Sequence, residues 1–230
     1  MKKKTHTKST KTHKRASASK SATAKKPAKP AKAAKKPTKP ARAAKKPTKP
    51  ARAAKPAKSA AASVHPHFAQ LTKALPPGRH ADGLLLVTKP GALDAEMAGW
   101  LMGQTAGRRS IGRTAFGDIV VFRDLRERAR QAGLPDADTA CDIAMVDIHD
   151  KQMAVLGDSV AAFLAAVDRH DWQEAFLRRS LYRDAKARIG NYTDDECFCF
   201  VPALALGGSG DAESVERANW RVHQDILRQL

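Results

Sequence analysis

The sequence predicts a single α+β globular domain, an antiparallel sheet with C-terminal helices, preceded by a disordered basic arm. Three observations carry that reading. The excess positive charge is confined to the first sixty-odd residues. In the remainder, strand-like apolar runs come first and helix-like spacing comes mostly later, the order expected of α+β rather than of a doubly wound sheet. Two alternating runs flank the short polar stretch His149-Asp150-Lys151, which reads as a hairpin.

The chain has 230 residues and a formal net charge of +19. Of its 42 Lys and Arg, 22 fall in residues 1–63, which contain no Asp or Glu; the rest holds 20 basic against 23 acidic residues, a balance of −3. Such asymmetry marks a polyanion-binding tail. Residues 1–64 lack Phe, Tyr and Trp and almost lack large aliphatic side chains. They cannot bury enough apolar surface to offset roughly 1–2 kcal/mol of backbone entropy per residue, so disorder is expected.

The arm is periodic. AAKKPTKPAR at 33–42 recurs identically at 43–52, and TAKKPAKPAK at 23–32 is a degenerate copy. Recurrent prolines exclude a helix and favour an extended chain. Lys25, Lys26, Lys29, Lys35, Lys36, Lys39, Arg42, Lys45, Lys46, Lys49 and Arg52 are the expected nucleic-acid contacts. At one phosphate charge per ~1.7 Å of duplex, 22 cations match about 37 Å of DNA, with no means of reading sequence. The arm resembles the lysine-, alanine- and proline-rich tails of linker histones and bacterial histone-like proteins.

In the domain, His67–Leu75 has helical spacing and stops at Pro76-Pro77-Gly78. Gly83–Val87 reads as a strand. Leu93–Met102 reads as a helix burying Trp100, and Gly107–Arg113 as a basic loop. Phe116–Phe122 and Ile143–Ile148 read as strands, with Gln152–Leu156 completing the hairpin. Asp158 is the expected cap of a helix bearing Val160, Phe163, Leu164 and Val167. Asp171 is the expected cap of another, bearing Trp172, Phe176 and Leu181 and stopped by Gly190. Cys197–Leu206 reads as a strand or buried turn, Gly207–Gly210 as a connector. A last helix is expected to bury Val215, Trp220 or Val222, Ile226 and Leu230.

No Walker loop, HExxH or GxSxG is present, so no catalytic residue, cofactor or metal site is assigned. His149 with Asp147 and Asp150 fits a tight turn better than an acid–base site. Cys197 and Cys199 share one strand face but lack further zinc ligands, and read as buried thiols. Three cysteines suit a reducing compartment, and no apolar run approaches the ~20 residues that span a bilayer. A cytoplasmic or nucleoid-associated protein is expected.

The stretch from Asp195 to Gly208, DECFCFVPALALGG, followed by a helix with Val222-His223 and the ending Ile226-Leu227-Arg228-Gln229-Leu230, resembles type VI secretion immunity proteins that protect against DNase effectors. Arg113–Asp118 and His80–Leu85 belong to the same resemblance, which spans about 67–230. It implies a GAD-related part over 65–112, an immunity-type part over 113–230, and a non-catalytic domain whose partner is a nuclease toxin. Arg123–Asp142 reads as an insertion between two strands. A nuclease inhibitor offers carboxylates to a basic site, which singles out Asp194, Asp195 and Glu196. A histone-like or regulatory DNA-binding protein is the alternative reading, and an undescribed enzyme a third. Oligomeric state is left open.

Overall fold

The computed structural model describes residues 65–230. The basic arm and every arm cation named above lie outside the described residues. The first helix, α1 (Pro66–Ala74), places Pro66 at its first position, where a missing N–H costs nothing. The His65 ring accepts a hydrogen bond from the His67 amide and caps it. The chain then turns at Pro76-Pro77-Gly78 into β1 (Gly78–His80), a short strand with no apolar signal of its own. A 3-10 turn over Ala81–Gly83 delays β2 to Leu85–Val87. The next helix, α2 (Asp94–Trp100), buries Leu93 and Met97; Trp100 is only half-buried, its indole N–H donating to Gln224 Oε1 at 3.0 Å.

Gly107–Arg113 is not a loop. It is almost entirely β3 (Arg108–Thr114), an inner strand of the sheet. The run fails to look apolar because it carries three arginines, of which Arg113 is buried and Arg108 bonds the Gln104 carbonyl. Ser110 and Arg113 are buried, and Gly112 sits where a Cβ would meet the Leu86 carbonyl oxygen at 2.4 Å. The following strand, β4 (Ile119–Asp124), begins later than expected, because Phe116 and Gly117 make the turn into it; Gly117 has φ +91°. After α3 (Arg126–Gln131) come β5 (Cys141–Asp147) and β6 (Gln152–Gly157), the expected hairpin. The ends of the Arg123–Asp142 segment are cross-strand partners, joined by an ion pair.

The six strands form one antiparallel meander in the order β1-β2-β3-β4-β5-β6. Because β3 crosses position 112, the segments before and after it share this sheet. Both faces are covered. Val120, Phe122, Ile143 and Met145 point into the larger core with Leu71 of α1 and the later helices. Ile119, Val121 and Val146 point into a smaller core with Met97, Cys197 and Trp220. This explains why β5 is buried along its whole length.

The C-terminal half begins with α4 (Val160–Ala166). Ser159, not Asp158, caps it: its hydroxyl accepts from the Ala162 amide at 3.1 Å. The expected single helix after Asp171 is two, α5 (His170–Leu177) and α6 (Arg179–Ile189), broken where Arg178 takes the left-handed conformation at φ +54°. Asp171 does not cap α5; Arg169 holds the N-cap position, and the Asp171 carboxylate in the first turn pairs with it. Gly190 stops α6 as expected. A separate hairpin, β7 (Glu196–Phe200) with β8 (Val215–Asn219), leads into α7 (Trp220–Gln229).

Two expectations fail in this last unit. Val215 is buried but lies in a strand, not a helix; of Trp220 and Val222 the helix buries Trp220, while Ile226 and Leu230 are exposed. Asn219 fixes the helix start by accepting from the Arg221 and Val222 amides. From that start, Trp220, His223, Gln224 and Leu227 form the buried face. Trp220 of the expected stripe lies on that face, and Ile226 and Leu230 lie off it.

Candidate functional site

Asp194, Asp195 and Glu196 lie at the entrance to β7, beside the start of α7. The Trp220 amide donates to the Asp195 carbonyl at 3.0 Å. The backbone here is anchored from below by Arg113 of β3. Its guanidinium donates to the Asp194 and Glu196 carbonyls, both at 2.7 Å, and lies over the Tyr192 and Trp220 rings. Arg113 is 1 % exposed. Carbonyl dipoles and ring faces therefore take the place of a carboxylate partner.

The three carboxylates differ. Asp194 is exposed and bonds the Arg79 guanidinium at 2.8 Å. Glu196 folds back to accept from the Thr193 amide at 2.9 Å, and that bond holds its carboxyl below the usual range. The Asp195 side chain is exposed, with no hydrogen bond from a described residue, and is the freest anion of the three. The three groups together place two exposed carboxylates and one half-buried one at the entrance to β7.

A second constellation is buried at the β5–β6 turn. Asp147 Oδ1 accepts from the His149 and Asp150 amides, which is the turn chemistry expected of these residues. Its other oxygen takes Arg178 at 3.2 Å, and Arg178 also reaches Asp118 at 3.4 Å. Burial raises the Asp118 pKa, opposed by His149 and Arg178. His149 bonds the Phe116 carbonyl through Nε2 at 3.0 Å, and its ring lies 5.5 Å from that of His223. Burial, with His149 adding in the same sense, pushes the His223 pKa down to about 4. Arg178, Asp118 and His223 were not legible as members of this cluster, since they come from three elements far apart in sequence.

Cys197 and Cys199 are buried free thiols on one face of β7, raised by burial to about 12 and about 11. Such thiols are poor nucleophiles. Gly207–Gly210 is a connector, with the Asp211 side chain accepting from the Ser214 amide just beyond it. Among the described residues one group could hold a metal ion, His65, His67 and Cys141, which sequence spacing does not reveal. No helix of the described residues is long and apolar enough to cross a membrane.

The family described as "T6SS immunity protein Tdi1, C-terminal" has a sequence model that matches residues 157–230, from the last residue of β6 through α7. No curated protein matches the chain. Among solved structures, Atu4351 from Agrobacterium tumefaciens is similar, with a TM-score of 0.52 and 15% identity over 70% of this chain and 74% of that one. At that identity the likeness shows a shared fold. Residues 157–230, which supply the acidic entrance to β7 and the whole of α7, thus carry the signature of the type VI secretion immunity protein Tdi1 C-terminal family.

Proposed function

We propose that this protein is a non-catalytic, immunity-type binding protein that neutralises a nuclease toxin of a type VI secretion system in the cytoplasm, while its basic arm binds DNA without sequence preference. The family match over residues 157–230 carries the reading. The matched segment presents what an inhibitor of a basic, phosphate-binding site needs: exposed carboxylates at Asp194 and Asp195, and Glu196 beside them. Val222 and Ile226 of α7, 57 % and 51 % exposed, offer apolar contact to the same toxin. The arm adds local concentration: a chain held on DNA is already where a nuclease must act.

The test is whether a neighbouring gene encodes a secreted nuclease and, on co-expression with it, whether chromosomal DNA stays intact. The full chain and residues 65–230 should both protect, and Asp195→Lys with Ile226→Lys should weaken protection. If removing the arm abolishes every activity, the immunity reading fails. The charge asymmetry of the arm favours one second reading, a histone-like or regulatory DNA-binding protein. That reading predicts DNA binding by the full chain with no protection against the nuclease.

A further inference from the structure

We propose that His65, His67 and Cys141 form a site for a zinc-class divalent cation, with solvent completing the coordination. The three residues come from the N-terminus of α1 and the first position of β5, 74 residues apart at the closest. One donor atom of each lies within 4.8 Å of the others. Cys141 Sγ and His67 Nδ1 are 3.5 Å apart. Tetrahedral zinc, with bonds of about 2.0–2.1 Å to nitrogen and about 2.3 Å to sulfur, holds such a pair of donors about 3.5 Å apart. That pair is therefore already at coordination distance. The third donor, on His65, lies within 4.8 Å of both, so a closure of about an ångström gathers it.

His65 supplies an independent observation. It is 4 % exposed, and its Nε2 makes no hydrogen bond of regular geometry, the Ala140 backbone being only a weak partner of the ring. A buried polar atom without a good partner is costly, and a metal at that atom removes the cost. The ring proton then sits on Nδ1, and the cap bond from the His67 amide, long at 3.2 Å, is given up. Burial lowers the His65 pKa and so favours the neutral ring that ligates. The Cys141 thiol is raised by burial, but the Val160 backbone N–H acts against that, and the cation itself stabilises the thiolate, whose proton passes to solvent.

Two imidazoles and one thiolate favour zinc-like ions over magnesium or calcium. A cleft of about 420 Å³, lined in part by Phe68 and Phe122, reaches His65, and His67 is itself partly exposed. The bound ion would pin the junction between arm and domain to the sheet. An S–H···N hydrogen bond beside a packed His pair is the competing account of the same geometry.

Cobalt(II), then zinc(II), distinguishes the two. The full chain is stripped with chelator under a phosphine reductant and titrated with cobalt(II) alone. One equivalent should bind with a thiolate-to-cobalt charge-transfer band, zinc should displace it, and Tm should rise. His67→Gln, at a half-buried position, should weaken binding about tenfold or more. Cys141→Ala should abolish the charge-transfer band while leaving Cys197 and Cys199 in place; should that variant not fold, His67→Gln decides. Absence of the band, or a band and affinity unchanged in His67→Gln, overturns the proposal.

Discussion

Arg113 shows how much one side chain can hold. One terminal nitrogen, Nη2, donates to both the Asp194 and the Glu196 carbonyl, and the guanidinium lies over the Tyr192 and Trp220 rings. A lysine ammonium is a compact point charge with no flat face to lay over the two rings. Arg113→Lys should therefore cost about 2–4 kcal/mol in urea unfolding, even though charge is conserved; a loss under about 1 kcal/mol would refute the anchoring role. His223 gives a pH dependence. Its folded pKa of about 4 lies below the ordinary 6.5, so the unfolded chain takes up the proton first. The stability it contributes is complete above pH 6.5 and is lost as pH falls toward 4. The loss is on the order of 3 kcal/mol. Denaturation at a series of pH values should show this fall, and His223→Gln should flatten it. An identical slope in the variant would place the acid sensitivity elsewhere.

Within elements, two substitutions test how local structure is set. Gly112 in β3 faces the β2 backbone so closely that an alanine Cβ would fall 2.4 Å from the Leu86 carbonyl oxygen. Gly112→Ala should destabilise by about 2–3 kcal/mol, because backbone rather than a side chain must move. At α4, the sequence suggests Asp158 as cap, and the structure places Ser159 there. Ser159→Ala should cost about 1 kcal/mol and Asp158→Ala close to nothing. The reverse ranking in thermal melts would restore the assignment from sequence. The same principle accounts for α7: a cap fixes the phase of the helix, and the phase decides which apolar residues are covered. Period alone is visible in the sequence, which leaves Trp220 and Val222 as alternatives and suggests Ile226 and Leu230, while the protein buries Trp220, His223, Gln224 and Leu227.

For the molecule as a whole, the arm and the domain obey different physics. If six to ten arm cations meet phosphates, affinity for duplex DNA should fall about a thousandfold or more between about 50 and 200 mM salt. Fluorescence anisotropy with the full chain should show this slope for duplexes of unrelated sequence, and residues 65–230 should bind none of them. Binding by residues 65–230 alone would mean that the domain itself reads nucleic acid, in favour of the regulatory function. The domain's own ions are largely spent internally: Arg79, Arg123, Arg126, Arg178 and Arg221 all pair with carboxylates of the described residues.

The sequence by itself determined the composition break near residue 64, the α+β class, the β5–β6 hairpin, the Gly190 stop and the turn role of Asp147. Each rests on a local rule, in charge, periodicity or turn chemistry, that neighbouring residues satisfy together. The fold's long-range contacts alone settle that an arginine-rich run is an inner strand, that α5 and α6 are separate helices, that Arg178 reaches Asp118, and that His223 lies beside His149. They also settle that His65, His67 and Cys141 share a corner of the fold. Those outcomes depend on contacts between elements remote in sequence, where burial and pairing override the hydropathy of the individual residues.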